Sequence, residues 1–225
     1  MKRLSHPVFF LLTLLIIGIG GASYFLPNGL FCLGLGIMAW GLAIFFKVIL
    51  GIFVHSLLLR IKRARAASLI WGFWSAGCEL LFAALFLWKF ELISTLSVIA
   101  FGLGAGLCEL AIAAGSIAIQ DKNSKETESE VKEITGEYWR VFYERFFSTI
   151  GQVGSRLLIW LGLMHSEISP VAVAVLAFGS VETLNAYLKE TSKNLGTGKN
   201  CLRYQHLNAA SAIIQISCCV FFLKY

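Results

Sequence analysis

Seven ionisable side chains lie within long apolar stretches of this 225-residue chain, where a charge costs several kcal/mol unless it is paired or hydrated. A carboxylate held away from water can act as a general base, bind a metal ion or carry a proton. These side chains are therefore the first candidates for function. The acids are Glu79, Glu109, Glu144 and Glu182, and the bases are Lys47, Arg145 and Arg156.

The composition excludes a soluble protein. Hydrophobic residues make up 57% of the chain and charged residues only 14%, whereas soluble domains have about 45–50% and about 25%. So few charges cannot cover a water-soluble globule of this size. Three prolines and long apolar runs exclude a disordered or collagen-like chain. Nucleic-acid binding is also disfavoured, because the basic residues form short loop clusters beside apolar runs.

Seven apolar runs are long enough, or nearly so, to cross a bilayer, which takes about 20 residues per helix. We predict an all-α bundle of about seven transmembrane helices, forming one integral membrane domain over residues 1–225. The seventh run is short, so the expected number is seven to within one. The runs are residues 7–26, 30–59, 67–88, 93–120, 141–164, 170–188 and 207–223.

Lysine and arginine are distributed very unevenly between the two sides of these runs. Fourteen lie in the N-terminal segment and in alternate loops, and two lie on the other side. Since basic loops stay in the cytoplasm, we predict a multi-pass protein of the cell inner membrane with a cytoplasmic N-terminus and an outside C-terminus. Residues 121–140 are rich in Glu and Lys and are expected to form a solvated helix or a flexible cytoplasmic link.

Polar residues in the fifth run share one helix face. Glu144, Ser148, Gln152 and Arg156 recur every four residues and form a polar stripe about three turns long. We expect this stripe to face the other intramembrane acids, because the alternative places several charges against lipid.

The fourth run combines small residues with one of these acids. Gly102 and Gly106 form a G-x-x-x-G pattern, which lets another helix approach closely. Glu109 follows within one turn, and Glu182 lies beside Thr183 in the sixth run. We infer that these polar faces also turn inward.

Covalent catalysis and disulfide chemistry find little support. Five of the six cysteines lie in apolar runs and none forms a C-x-x-C pair, so we expect them to act as small hydrophobic residues. No histidine lies mid-run to serve as a base for Ser148, Ser155 or Cys108.

The order of these features resembles the YhfC family of intramembrane metalloproteases, which is related to the PrsW-type and CAAX-processing membrane proteases. The resemblance covers most of the chain and depends on five short motifs. W-G-L-A-I-F-F-K, ending at Lys47, resembles the family's second span, and G-C-E-L, with Glu79, stands where the family has Glu-Glu…Arg. F-G-L-G-A-G-L-C-E-L resembles its Gly/His-rich run that ends in Glu. E-R-F-F-S-T-I-G-Q-V-G-S-R-L-L-I-W resembles its Glu-Arg…His span, and A-F-G-S-V-E-T-L-N-A-Y stands where the family has His-x-x-x-Asp.

The resemblance implies an intramembrane peptidase site with zinc as the expected cofactor. Its catalytic residues are then Glu79 and Glu109. The supporting residues are Lys47, Glu144, Arg145, Gln152 and Glu182.

Several positions depart from the family pattern. Leu80 replaces the second Glu, Ala105 and Gln152 stand where histidines are expected, and Gly179 and Thr183 replace the His and Asp of the last motif. A catalytic zinc takes about three protein ligands and a water, and carboxylates without imidazole suit harder cations better. We therefore expect a degenerate metal site. The protein then has weak peptidase activity or a non-catalytic role in binding lipids, a partner membrane protein or a substrate helix.

Two other interpretations stay open. A small proton- or cation-coupled transporter or channel would use Glu109 and Glu182 along a water-filled path. A structural partner of a larger complex would have no cavity, and every intramembrane charge would be paired within about 4 Å. The interpretations differ in whether Glu79, Glu109, Gln152 and Glu182 converge on one cavity that opens to water.

Overall fold

The predicted all-α fold is confirmed. The computed structural model describes residues 6–26, 28–58, 64–92, 94–123, 130–192 and 198–224, and this part of the chain contains seven α-helices and no strand. The helices are α1 (His6–Phe25), α2 (Gly29–Leu58), α3 (Ala64–Lys89), α4 (Thr95–Asn123), α5 (Glu130–His165), α6 (Ile168–Ser192) and α7 (Gly198–Phe222).

Each helix coincides with one predicted apolar run. The helices α2 to α6 are long and apolar enough to cross a membrane, whereas the apolar segments of α1 and α7 are shorter, at Leu15–Phe25 and His206–Phe222. The charged segment 121–140 is helical at both ends, because α4 ends at Asn123 and α5 begins at Glu130. Its remaining residues, 124–129, lie outside the described part of the chain.

The surface of the bundle carries many large apolar side chains, and some charged side chains are buried in its interior. Large apolar residues such as Phe45, Ile52 and Leu176 are 60–70% exposed, while the charged Glu79 and Arg156 are buried. Such a surface is stable only in an apolar solvent. The chain is therefore a multi-pass, membrane-embedded protein.

The short connections between α1 and α2, α3 and α4, and α5 and α6 each contain one residue in the left-handed region. Asn28, Glu91 and Ser166 have φ values of 52°, 47° and 54°. The Leu92 amide donates to the Leu87 carbonyl oxygen over 3.3 Å, as in a Schellman motif. All three turns lie at the end of the bundle opposite the Lys- and Arg-rich loops, so the chain reverses there with little polar loop.

The centre of the bundle is α5, which packs against α1, α3, α4, α6 and α7. Residues 154–162 of α5 are all buried. The deep end of the polar stripe, at Gln152 and Arg156, is likewise buried, so α5 places a charged group in the interior.

The close approach expected at the G-x-x-x-G pattern is confirmed. A Cβ at Gly102 would lie 2.7 Å from the Cα of Val153, and a Cβ at Gly106 would lie 2.9 Å from the Cα of Thr149. The backbones of α4 and α5 are therefore in direct contact. Because Glu109 follows Gly106 by less than one turn, this contact carries its carboxylate to the polar stripe of α5.

Glycines also hold α4 against α2. A Cβ at Gly104 would overlap the Leu33 carbonyl oxygen, and one at Gly36 would overlap the Phe101 carbonyl oxygen. The helix α4 is thus fixed between α2 and α5, and both helices contribute side chains to the charged interior.

We predict that Gly102→Ala lowers the stability of the purified protein, because the added methyl group meets the α5 backbone, an overpacking that costs about 1–3 kcal/mol. Gly77→Ala is the matched control, since a Cβ there meets nothing within 4 Å. Thermal unfolding in detergent should show a lower midpoint for Gly102→Ala only. Equal midpoints for the two variants would contradict this packing.

Candidate functional site

The carboxylate of Glu79 on α3 lies between two basic side chains. Lys47 on α2 donates from Nζ to Oε1 over 2.7 Å, and the Arg156 Nη2 atom on α5 lies 3.7 Å from Oε2. The side chain of Glu79 is 5% exposed and that of Arg156 is 2% exposed. The most buried acid of the membrane interior is therefore neutralised by cations from two different helices.

Glu109 on α4 has a similar arrangement nearer the surface. Arg145 donates from Nη1 to its Oε1, and Ser148 donates from Oγ to its Oε2 over 2.9 Å. Arg145 also donates from Nη2 to Glu144 Oε1 over 2.7 Å. One guanidinium thus connects two carboxylates, which is the geometry its planar fork favours.

Gln152 joins the two acids. Its Nε2 donates to Glu79 Oε2 over 3.4 Å and to Glu109 Oε2 over 3.3 Å, both long for hydrogen bonds. A neutral amide therefore occupies the position where the resemblance predicts a histidine. We call the connected set the charged network; its members are Lys47, Glu79, Glu109, Glu144, Arg145, Ser148, Gln152 and Arg156.

The predicted stripe on α5 faces this network along its whole length. Its four residues span about 18 Å of helix axis at about 1.5 Å per residue, more than half of a hydrocarbon core of about 30 Å. The exposed fraction of the side chain falls from 18% at Glu144 to 2% at Arg156. The stripe is thus a polar column that becomes drier away from the Lys- and Arg-rich end of the bundle.

Glu182 lies beside the network rather than in it. Ser75 on α3 donates from Oγ to Glu182 Oε2 over 2.8 Å. Within the described residues no basic side chain forms an ion pair with Glu182, although Glu79 and Lys47 are near enough to act on it electrostatically. The apolar runs thus contain four acids and three bases, and Glu182 is the acid for which the described residues provide no basic partner.

Side-chain packing fills the positions where the resemblance predicts further ligands. Leu80 and Ala105 are buried apolar residues of the core. A Cβ at Gly179 would lie 2.7 Å from the ring of Phe73, and Thr183 packs directly on the backbone of Gly72. An imidazole at Gly179 would require the Phe73 ring to shift, and Thr183 supplies a hydroxyl group where the resemblance predicts a carboxylate.

These residues do not fit the zinc ion that the resemblance implies. In the described part of the chain no three His, Cys, Asp or Glu side chains are close enough together to hold a metal ion. Glu79 and Glu109 face Lys47, Arg156 and Arg145, whose charges repel a cation. The group that bridges the two acids is the neutral amide of Gln152, so this set of side chains supports no reaction step through zinc.

The sequence analysis counted Arg156 among the candidate bases, but the resemblance did not assign it to the peptidase site, and Ser75 was not singled out. Arg156 donates to Ser155 Oγ over 2.8 Å and lies 5.5 Å from the centre of the Phe178 ring, a cation–π contact that holds it beside Glu79. A usable signal was present for both residues. Arg156 continues the four-residue stripe of α5, and Ser75 precedes Glu79 by four residues on α3, a spacing that places both on one helix face.

A cavity of about 690 Å³ lies between α3, α6 and α7. Its lining is mostly apolar and includes Phe73, Val181, Thr183 and Ile214. Glu79, Glu109 and Gln152 converge with one another as expected, and Glu182 lies nearby, but none of these four lines the cavity. The cavity therefore lies near the charged network, but the charged side chains of the network do not line it.

No protein-family model, curated protein or solved structure matches the chain significantly. The resemblance to the YhfC family therefore stays a prediction that depends on the five motifs.

We predict that Glu79→Gln is strongly destabilising, because it leaves Lys47 and Arg156 in the interior without a counter-charge. Removing one partner of a buried pair costs about 3–5 kcal/mol. Glu109→Gln should cost less, since the Glu109 side chain is 25% exposed and water can screen Arg145. Unfolding midpoints in detergent provide the test, and a larger loss for Glu109→Gln would contradict the assignment of Glu79 as the buried centre.

Proposed function

We propose that this membrane protein has a YhfC-like helical arrangement in which basic side chains have taken the place of the metal ion, and that it binds a membrane component without cleaving it. The observation that carries the proposal is the position of Lys47 and Arg156 on the Glu79 carboxylate. Two positive groups there supply the counter-charge that a metal ion supplies in a protease.

The same contacts weigh against hydrolysis. A general base needs a free lone pair within hydrogen-bond reach of a water molecule. Both oxygens of Glu79 face cationic or amide donors, and both oxygens of Glu109 have a donor as well. These donors compete with a water molecule for the carboxylate oxygens, each of which has two lone pairs, so we expect peptidase activity to be absent or very weak.

A purely structural role is less well supported. That interpretation predicts a pair for every charge and no cavity. Glu79, Glu109 and Glu144 do have basic partners, but Glu182 has only the Ser75 hydroxyl among the described residues, and a cavity of about 690 Å³ lies beside it. Binding space next to an unneutralised acid favours a ligand-binding role.

Proton coupling is the second candidate function, and the charge excess at Glu182 favours it. Uptake of one proton by Glu182 would make the intramembrane acids and bases balance. Hydrogen bonds run along the neighbouring polar column from Glu144 to Glu79, and Glu182 lies beside this column, with Ser75 as its hydrogen-bond partner among the described residues. Intramembrane acids of this kind are typical of proton-coupled transport.

We predict that the purified protein contains no stoichiometric zinc and that Glu79→Gln leaves its metal content unchanged. Elemental analysis after purification without chelator provides the measurement, with a fluorogenic peptide assay alongside. The control is Glu167→Gln, which removes an exposed acid in the α5–α6 turn. Near-stoichiometric zinc that is lost only in Glu79→Gln would overturn the binding proposal in favour of a metalloprotease.

For the second candidate, we predict that Glu182→Gln abolishes any proton uptake by proteoliposomes that the unmodified protein supports. An internal pH-sensitive dye measures the uptake after an imposed potential. Glu167→Gln again serves as the control, because it removes the same charge far from the network. Equal uptake in both variants, or none in the unmodified protein, would exclude proton coupling through Glu182.

A further inference from the structure

The cavity between α3, α6 and α7 is a groove of ligand-binding size. Its volume of about 690 Å³ falls within the range of about 300–1,000 Å³ that small-molecule sites occupy. Leu69, Phe73, Val181, Leu184 and Ile214 give it apolar walls. Such walls suit a hydrocarbon chain rather than an ion or a sugar.

The groove follows the membrane normal through one leaflet. Its lining covers residues 65–73 of α3, 177–187 of α6 and 207–214 of α7. At about 1.5 Å per residue these stretches extend about 10–15 Å, which matches half of a hydrocarbon core of about 30 Å. Since α3 and α7 begin and α6 ends at the Lys- and Arg-rich side, the groove lies in the leaflet on that side.

The outer end of the groove carries a positive charge. Arg65 is exposed there, and no acidic side chain of the described residues forms an ion pair with it. Tyr187 lines the same end, at the level where tyrosine is enriched in membrane proteins. A guanidinium at the headgroup level favours phosphate, and the cytoplasmic leaflet is rich in anionic lipid.

We propose that this groove binds an anionic phospholipid, with an acyl chain along the apolar walls and the phosphate at Arg65. The proposal rests on the binding role inferred above and names the ligand class. A transmembrane helix fits less well, because a cylinder about 10–12 Å wide takes up roughly 800–1,700 Å³ over the same 10–15 Å. The groove wall includes Thr183, the neighbour of Glu182, so the bound lipid lies next to the unneutralised acid.

Native mass spectrometry of the detergent-purified full chain tests this site, with phosphatidylglycerol and phosphatidylcholine of identical acyl chains as probes. We expect phosphatidylglycerol to bind more tightly. Arg65→Gln should weaken phosphatidylglycerol about fivefold, as expected for one arginine at the headgroup level. It should weaken phosphatidylcholine less, because the choline ammonium offsets the charge of that lipid's phosphate. Lys89→Gln, which removes a charge at the opposite end of α3, is the control.

A second variant tests the acyl-chain part of the groove. Ala210→Trp places a large side chain at an exposed lining position and should weaken both lipids. Ala111→Trp, at an exposed position of α4 outside the groove, should weaken neither. Unfolding midpoints of all variants should match, which separates loss of the site from loss of the fold.

Equal binding of the two lipids by the unmodified protein would overturn the proposal, and so would unchanged binding in both Arg65→Gln and Ala210→Trp. The outcome is separable from that of the proposed function. If the protein contains zinc, has peptidase activity and still binds lipid at Arg65, the proposed non-catalytic role is refuted and the lipid site is supported. If the protein contains no zinc and does not bind phosphatidylglycerol selectively, the lipid site is refuted and the neutralisation of the acids by basic side chains is still supported.

Discussion

The structure depends on keeping the Glu79 carboxylate charged inside a medium of low dielectric constant. An isolated carboxylate in such a place is unstable by many kcal/mol, and only close cations with good geometry can offset that cost. Lys47 from α2 and Arg156 from α5 supply them. Three helices are therefore tied together at one point, and the position of α4 between α2 and α5 follows from glycines that let the backbones touch.

The same constraint shapes the chemistry of the interior. A carboxylate that faces two basic groups has little affinity for a further cation. Glu109 repeats this arrangement with Arg145 and Ser148 closer to the surface. Glu182 departs from it, because among the described residues its partner is a hydroxyl group. The acids at the centre of the interior thus have basic partners, whereas among the described residues Glu182, near the groove, has none.

Much of the fold could be predicted because lipid imposes simple rules. Helix length follows from bilayer thickness, and the inward direction of a polar stripe follows from the cost of charge in hydrocarbon. The G-x-x-x-G pattern predicted a close helix contact, which α4 makes with α5. Periodicity assigns a residue to a helix face, however, and it does not say which helix that face meets.

The part of the site that escaped prediction depends on those helix pairings. Arg156 acts on Glu79 because α5 lies at the centre of the bundle, against α3 as well as α4. The groove was also missed, since it is a space between three helices and its lining looks like any other apolar surface in sequence. Three of the motifs that resemble a metalloprotease contain Glu79, Glu109 and Gln152, which the structure brings together. The basic side chains around them support the proposed binding role.

The ionisation state of Glu79 is the direct test of whether Lys47 and Arg156, rather than a metal ion, neutralise this acid. Infrared difference spectra between the unmodified protein and Glu79→Gln, recorded in lipid with and without added zinc, report whether the group that is lost is a carboxylate or a protonated carboxyl. We expect the loss of a carboxylate band that zinc does not shift, because Lys47 and Arg156 stabilise the negative charge of Glu79 and exclude the metal ion. Loss of a protonated carboxyl band, or a carboxylate band that moves when zinc is added, would contradict it.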